Sequence, residues 1–199
     1  MRSQPHRSEE NEKTAEYEPV LGARGCDKAA EFVSFCDAFN IPVLALVNVK
    51  GYKQSKCTER RIAKAAGRLT YAFANADVPK VTVVIGEAYG SAYVTMNSKS
   101  IGADIVYAWP DAKIGMMDAA AAVKIMYAEE ISASDKAAAL ISEKAAEYEA
   151  LQSSAAAAAG RGYVDDIIKA DETRQRVIAA FEMLFTKREG RPSRKHGTV

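Results

Sequence analysis

The chain has 199 residues, of which 48% are hydrophobic and 27% are charged, and its formal net charge is +1 at pH 7. This balance predicts one soluble globular domain and argues against nucleic acid or an anionic membrane as its main partner. Three cysteines without a C-x-x-C pair and only two histidines argue against a metal site and predict a reducing, cytoplasmic location. No apolar run approaches the roughly 20 residues of a membrane span, and the charged N-terminus does not resemble a signal peptide.

The first forty residues divide into a polar segment and a helix. Residues 1–20 predict a disordered leader, followed by a domain over residues 21–187 and a basic tail over residues 188–199. Asp27 predicts the N-cap of a helix that ends near Phe39. The helical period places four side chains on its buried face: Ala30, Val33 (or Phe32), Cys36 and Phe39.

A continuous apolar run over residues 41–47 predicts a strand that is covered on both faces. Gly51 and Tyr52 lie in the polar loop that follows this strand. Residues 58–76 then predict a single amphipathic helix. Its basic face (Arg60, Arg61, Lys64 and Arg68) is more typical of a solvated surface than of a phosphate clamp.

The centre of the chain combines a buried strand with a turn of small residues. The β-branched run over residues 81–85 predicts the strand, and Ala88-Tyr89-Gly90-Ser91-Ala92-Tyr93 leads into a helix that ends near Met96. A strand that turns directly into a helix leaves the N–H groups of the first helical turn without partners. Such N–H groups can form an oxyanion hole, although small residues at this position can also simply allow tight packing.

The two glycine-containing segments are expected to lie side by side. Alternating strands and helices predict right-handed crossovers and a largely parallel sheet. Both the Gly51-Tyr52 loop and the Gly90-Ser91-Ala92 turn follow buried strands, and ligands usually bind at the carboxyl ends of such strands.

The second half of the chain predicts short strands and alanine-rich helices. Strands are expected over residues 105–108 and 113–116, and a turn into a short strand over residues 161–168. Helices are expected over residues 118–128, 134–151 and 155–159. Asp118 is expected to cap the first of these helices. A last helix over residues 171–187 carries the stripe Val177, Ile178, Phe181, Leu184 and Phe185.

Few side chains offer conventional catalytic chemistry. Ser91 would need a base to act as a nucleophile, but the two histidines, His6 and His196, lie in the leader and the tail. Asp165 and Asp166 are adjacent and therefore point to opposite faces of a strand, while Glu87 and Asp104 are acid–base candidates without further support. Phosphate-binding loops and H-E-x-x-H motifs are absent. Catalysis by backbone amides is the remaining possibility.

Several separated motifs resemble one family, the carboxyltransferase subunits of biotin-dependent acyl-CoA carboxylases and related decarboxylases, over their C-terminal half. The matching motifs include Asp27-Lys28-Ala29-Ala30-Glu31-Phe32, Val78-Pro79-Lys80-Val81-Thr82-Val83, Ala88-Tyr89-Gly90-Ser91-Ala92-Tyr93, Gly102-Ala103-Asp104, Tyr107-Ala108-Trp109-Pro110 and Arg161-Gly162-Tyr163-Val164-Asp165-Asp166. They occur in one collinear order over residues 26–199. The resemblance implies an α/β fold of the crotonase-like ββα-superhelix type.

The resemblance also implies a reaction, carboxyl transfer between carboxybiotin and an acyl-CoA. It assigns the oxyanion-stabilising amides to Gly90, Ser91 and Ala92, and contacts with biotin or substrate to Gly51, Tyr52, Tyr89 and Tyr93. Biotin is then carried on another protein or domain, since the chain has no Met-Lys-Met attachment site. The implied partners are an N-terminal carboxyltransferase domain, a biotin carboxyl carrier protein or domain, and further copies of the chain.

Departures from the family pattern leave a second interpretation open. The strand-end segment Asn48-Val49-Lys50-Gly51-Tyr52 keeps only the usual glycine and aromatic residue, and Ser91 replaces the second of two glycines. The alternative is a non-catalytic or truncated homologue that acts as an assembly subunit. A stand-alone hydratase of the crotonase type is a weaker third possibility.

Overall fold

The computed structural model describes residues 18–134 and 136–190. Its strands are β1 (Val20–Leu21), β2 (Val43–Val49), β3 (Gly51–Tyr52), β4 (Lys80–Tyr89), β5 (Ile105–Ala108), β6 (Lys113–Gly115) and β7 (Asp166–Ile167). Its helices are α1 (Ala23–Ala38), α2 (Lys56–Glu59), α3 (Ile62–Asn75), α4 (Gly90–Thr95), α5 (Ala119–Met126), α6 (Ala128–Ala133), α7 (Ala137–Tyr148), α8 (Ala155–Gly160) and α9 (Thr173–Met183). A short 3-10 turn (Lys99–Ile101) and a π-helical turn (Glu149–Ser153) complete the description.

The strands form a parallel sheet, as the alternation of strands and helices predicts. The main sheet has the order β2-β4-β5-β7, with β6 beside the last three residues of β4. Every strand pairing in this sheet is parallel, and so is the separate pairing of β1 with β3. The observed α/β architecture agrees with the predicted class.

The central strand β4 is covered on both faces. Val84 and Ala88 belong to the larger core, which also contains buried residues of α1 and α3. Val81 and Val83 point to the opposite face and pack in a smaller core with Val177 and other residues of α9. This burial explains the continuous β-branched run in the sequence.

Helix α1 begins five residues earlier than predicted. Gly22 is its N-cap, and Asp27 lies inside the helix, where its carboxylate binds Arg61 at 3.3 Å and Arg68 at 3.1 Å. Val33 is buried, whereas Phe32 and Phe39 are exposed. The prediction that Phe39 belongs to the buried face was therefore wrong, because residues 26, 30 and 33 define that face and Phe39 lies beyond the end of the helix.

Strand β2 is covered on one face only, which corrects the prediction of a strand covered on both. Val43, Val47 and Val49 are buried, whereas Leu44 and Leu46 are exposed. An edge strand with apolar residues on both faces has the same sequence pattern as a central strand, so the pattern could not distinguish the two.

Three helical predictions need adjustment. The helix predicted over residues 58–76 is divided into α2, which is capped by Ser55, and α3. The long helix predicted over residues 134–151 ends in the π-helical turn. In α9, Val177 and Ala180 are buried and Phe181 is partly buried, and Leu184, just after the helix, is also partly buried. Two members of the predicted buried stripe, Ile178 and Phe185, are instead exposed.

Several predictions are confirmed or lie outside the described residues. Asp118 caps α5, with its carboxylate accepting hydrogen bonds from the N–H groups of Ala120 and Ala121. The predicted leader and basic tail lie largely outside the described residues, and the domain bounds stay a prediction. None of the described helices is long and apolar enough to span a membrane.

Candidate functional site

The turn between β4 and α4 depends on Gly90. Its φ of +60° is in the left-handed region, which favours glycine over residues with a side chain. A Cβ atom at this position would lie 3.0 Å from the carbonyl oxygen of Met116. Two independent constraints therefore favour glycine at the first residue of α4.

The start of α4 has N–H groups without a hydrogen-bond partner among the described turns, loops and caps. Ser91 is exposed and Ala92 is buried, and the first N–H groups of a helix have no partner inside it. In the described part of the chain, no turn, loop or cap hydrogen bond uses the N–H group of Ser91 or Ala92. The N–H group of Ser91, an exposed residue, can therefore donate to an oxygen atom that approaches from solvent, whereas Ala92 is buried.

Tyr52 lies against the same helix, which confirms that the two predicted segments are neighbours. Its hydroxyl donates to the Ser91 carbonyl oxygen over 3.3 Å and is 2.8 Å from Thr95 Oγ1. The Thr95 hydroxyl in turn donates to the Ser91 carbonyl oxygen over 2.8 Å. Because these contacts involve the carbonyl of Ser91, its N–H group remains available.

Asn48 is a site residue that the sequence reasoning did not single out. Its Oδ1 accepts a hydrogen bond from the Glu87 N–H over 3.0 Å, and a Cβ at Gly86 would lie 2.8 Å from the same oxygen. The register between β2 and β4 is irregular here: Val47 pairs with Val84, but Val49, two residues later, pairs with Ala88, four residues later. The asparagine thus holds the irregular end of β4 just before α4. The only sequence feature that could have indicated this role of Asn48 is its position at the end of an apolar strand.

Tyr89, which immediately precedes α4, and Tyr93, which lies within it, are both buried. Burial raises the pKa of Tyr89, and the nearby carboxylates of Glu87, Asp118 and Glu149 raise this pKa further. Burial also raises the pKa of Tyr93 to about 12. The Tyr93 ring belongs to the main core and its hydroxyl has no hydrogen-bond partner in the described structure. A ligand-binding role for either tyrosine stays a prediction.

Replacing Tyr93 with phenylalanine is expected to make the chain more resistant to alkali. An ordinary tyrosine has a pKa of about 10, whereas folded Tyr93 keeps its proton up to about pH 12. The unfolded chain therefore loses this proton first, and the folded chain loses stability as the pH rises between these values. Urea unfolding at pH 8 and pH 11 should show an alkaline loss that is smaller by about 1 kcal/mol in Tyr93→Phe. Equal losses in both proteins would contradict this assignment.

A buried polar pair fixes the segment after α4. The Thr82 hydroxyl donates to the Asn97 carbonyl oxygen over 2.7 Å and accepts a hydrogen bond from Asn97 Nδ2 over 2.9 Å. Both side chains are completely buried, and Asn97 has a φ of +63°. The pair joins the middle of β4 to the end of the helix that the same strand leads into.

Thr82→Val is expected to lower the free energy of unfolding by about 2–3 kcal/mol, because it leaves a buried amide and a buried carbonyl without partners. Thr70→Val is the matched control, since the Thr70 hydroxyl makes only a 3.4 Å contact with Thr95 Oγ1. Urea unfolding at pH 7 measures both variants. A cost for Thr82→Val no larger than that of the control would mean that this pair does not stabilise the chain.

The acidic candidates all take part in structural contacts. Glu87 pairs with Lys50 at 3.1 Å, and Asp104 pairs with Lys187 at 2.9 Å. Asp165 binds Lys99 and accepts a hydrogen bond from the Val106 N–H. Asp166 lies 3.8 Å from Arg176 of the following helix, in line with a bridging role. These contacts supply no general acid or base for the turn at Gly90.

Covalent and metal chemistry have little support in the described residues. The pKa of Cys26 is raised to about 11, first by burial and then by the neighbouring Asp27 charge, so its thiol is a poor nucleophile at neutral pH. His6 and His196 lie outside the described residues. Within the described ranges, no three histidine, cysteine or acidic side chains are grouped so that they could hold a metal ion.

Two surface depressions of the described structure lie away from the predicted site. A depression of about 380 Å³ lies between α1 and α3, and another of about 340 Å³ lies beside α7. Neither is lined by any of the seven predicted site residues.

Comparison with known proteins agrees with this fold. The family described as "Carboxyl transferase domain" matches residues 11–199. The chain is 44% identical over 178 residues to the methylmalonyl-CoA carboxyltransferase 12S subunit of Propionibacterium freudenreichii, covering 89% of this chain and 34% of the relative. It is 46% identical over 185 residues to the propionyl-CoA carboxylase beta chain of Saccharopolyspora erythraea, covering 90% and 34%.

A solved structure gives the same result. Transcarboxylase 12S, a hexamer crystallised with methylmalonyl-coenzyme A and methylmalonic acid, matches with a TM-score of 0.85 and 44% identity over 89% of this chain and 34% of that chain. The predicted crotonase-like α/β class is thereby confirmed. The chain belongs to the carboxyl transferase domain family. It spans about a third of the length of the relatives that it matches.

Proposed function

We propose that this chain forms the biotin-side half of an acyl-CoA carboxyltransferase, in which the amides at the start of α4 stabilise a developing oxyanion. The observation that carries this proposal is the turn at Gly90, which begins a helix whose Ser91 and Ala92 N–H groups take part in no turn, loop or cap hydrogen bond of the described residues, in a chain of the carboxyl transferase family. When bound, biotin supplies the ureido nitrogen that accepts or releases the carboxyl group.

The chain contributes geometry rather than a nucleophile. The N–H groups of Ser91 and Ala92 would donate to the ureido oxygen as negative charge develops there, and removing one such donor typically costs about 3–4 kcal/mol of transition-state stabilisation. Gly90 allows the left-handed turn that exposes these groups. Tyr52 and Thr95 hold the Ser91 carbonyl, which keeps the peptide planes at the helix start in place.

A propionyl-CoA and methylmalonyl-CoA pair is the proposed substrate class. The two relatives described above carry these acyl groups in their names, and transcarboxylase 12S binds methylmalonyl-coenzyme A in its crystal structure. The acyl-CoA would be held mainly by an N-terminal carboxyltransferase domain, and biotin would arrive on a carrier protein or domain.

The proposal can be tested by decarboxylation of methylmalonyl-CoA that depends on free biotin. The full chain would be assayed alone and after co-expression with the remaining two thirds of the Propionibacterium 12S subunit. Activity that requires both polypeptides and free biotin supports the carboxyltransferase proposal. A folded, stable complex without such activity would instead favour the non-catalytic assembly subunit.

A further inference from the structure

A basic patch lies on α2, on α3 and on the loop before them. Residues 53–68 contain six basic side chains and one acidic side chain, Glu59, although the formal net charge of the whole chain is only +1. The six basic side chains define the patch: Lys53, Lys56, Arg60, Arg61, Lys64 and Arg68. All of them are exposed except Arg68, which is half-buried. The segment therefore carries a strong local excess of positive charge.

Most of the basic patch has no acidic partner in the described part of the chain. Asp27 of α1 pairs with Arg61 at 3.3 Å and with Arg68 at 3.1 Å, so one carboxylate is shared by two arginines. The other four members of the patch form no ion pair within residues 18–134 and 136–190. Carboxylates of these residues thus neutralise only a small part of the patch.

The basic patch lies beside α4. Its segment follows Tyr52 directly, and the Tyr52 hydroxyl donates to the Ser91 carbonyl oxygen over 3.3 Å. Two residues after the segment, the Thr70 hydroxyl is 3.4 Å from Thr95 Oγ1 of α4. The residues at both ends of the basic segment therefore contact the helix that carries the proposed oxyanion donors.

The shape of the basic patch fits a protein surface better than a phosphate group. Sites for small ligands are concave, with a few polar groups that converge on one position. Among the six basic side chains, only Arg68 lines either of the two surface depressions. The other five are exposed along a loop and two helices, so they can contact a broad acidic surface but do not enclose a small anion.

The composition of the patch also distinguishes a transient partner from a permanent one. Lysine and other charged residues are depleted in the buried core of stable interfaces, because removing a charge from water is costly. Exposed charges instead accelerate the association of a partner of opposite charge, by about 10–10³-fold. A biotin carrier has to bind and leave in every catalytic cycle, so rapid association matters more for the carrier than for a permanent half of the enzyme.

We propose that the basic patch is the surface on which an acidic face of the biotin carrier docks. Carboxylates of the carrier pair with the exposed lysine and arginine side chains, and the tethered biotin is delivered beside α4. This inference rests on the proposed function, since a carrier is needed only if biotin donates or accepts the carboxyl group.

The test compares a biotinylated carrier domain of a biotin-dependent carboxylase with free biotin, because free biotin needs no docking surface. The full chain, co-expressed with the remaining part of the 12S subunit, is assayed with each form of biotin. Arg60→Glu/Lys64→Glu should lower kcat/KM for the carrier about 30-fold at about 50 mM NaCl, but less than about threefold at about 500 mM NaCl, where the charges are screened. The kcat/KM for free biotin should not change.

Lys169→Glu/Arg174→Glu is the matched control, and it should leave both reactions unchanged. It makes the same change in net charge, and both residues are exposed. They lie just before and at the beginning of α9, which packs on the opposite face of the sheet from α3. Titration of the carrier onto each complex measures its Kd independently of catalysis.

Each outcome supports or overturns the docking proposal. A loss that is confined to the carrier, sensitive to salt and absent from the control supports it. Activity with free biotin, together with an unchanged kcat/KM and Kd for the carrier in Arg60→Glu/Lys64→Glu, overturns it while the proposed function stands. A raised KM for methylmalonyl-CoA would assign the patch to the phosphates of coenzyme A, and duplex DNA that only the unchanged chain binds would assign it to nucleic acid; either result overturns the proposal. If free biotin gives no activity, the proposed function fails, and the titration alone decides whether the carrier docks on the patch.

Discussion

Replacing Gly90 with valine is expected to lower kcat/KM for biotin-dependent carboxyl transfer by about 10²–10³-fold, the usual cost of losing an oxyanion donor. The valine Cβ would meet the Met116 carbonyl oxygen at 3.0 Å, and its branched side chain disfavours a φ of +60°. Relief of either conflict rotates the peptide planes at the start of α4. The N–H groups of Ser91 and Ala92 then no longer point to one position.

The control separates backbone strain from damage to the site. Gly162 also has a positive φ, +80°, but a Cβ there would meet no atom within 4 Å. The positive φ should therefore destabilise Gly90→Ala and Gly162→Ala by a similar amount, about 1–2 kcal/mol. Only Gly90→Ala should lose activity. Steady-state kinetics with the partner polypeptide, together with circular dichroism, would decide this. Equal activity in the two alanine variants would remove Gly90 from the proposed site.

Replacing Asp104 with alanine is expected to destabilise the chain by about 3 kcal/mol, within the range for breaking a buried ion pair. The Asp104 carboxylate binds Lys187 at 2.9 Å and accepts a hydrogen bond from the Lys80 N–H over 2.7 Å. The side chains of Asp104 and Lys187 are only 15% and 8% exposed. Their pairing connects the segment after α9 to the beginning of β4.

An exposed aspartate provides the matched control for this variant. Asp166 and Arg176 are each 51% exposed and 3.8 Å apart, so Asp166→Ala should change stability by no more than about 0.5 kcal/mol. Urea unfolding of both variants at pH 7 would measure the difference. If the two substitutions lower the free energy of unfolding by the same amount, the contact between Asp104 and Lys187 does not stabilise the fold in the way proposed.

Local sequence patterns predicted much of the fold because the corresponding strands and caps are determined by residues close together in the chain. The β-branched run of β4, the cap at Asp118 and the short strand β5 all depend on neighbouring residues, and each is observed. The neighbouring positions of Tyr52 and the Gly90 turn followed from the topology of parallel sheets, which places the carboxyl ends of strands together.

Other features depend on residues that are far apart in the chain. Whether the second face of β2 is covered depends on how far α9 extends across the sheet, and the apolar run over residues 41–47 carries no such information. Asn48 acts through Gly86 and Glu87, and Lys187 acts through Asp104, 83 positions earlier. Neither contact has a periodicity or a motif from which a single sequence could predict it.

The central claim is that a carboxyl group passes between an acyl-CoA and biotin at the surface formed by α4. The most direct measurement uses methylmalonyl-CoA labelled in its free carboxyl group, with free biotin and the full chain in complex with the partner polypeptide. The account predicts labelled carboxybiotin and propionyl-CoA in equal amounts, with both lost in Gly90→Val. Label that is released without passing through biotin, or carboxybiotin formed equally well by Gly90→Val, would contradict it.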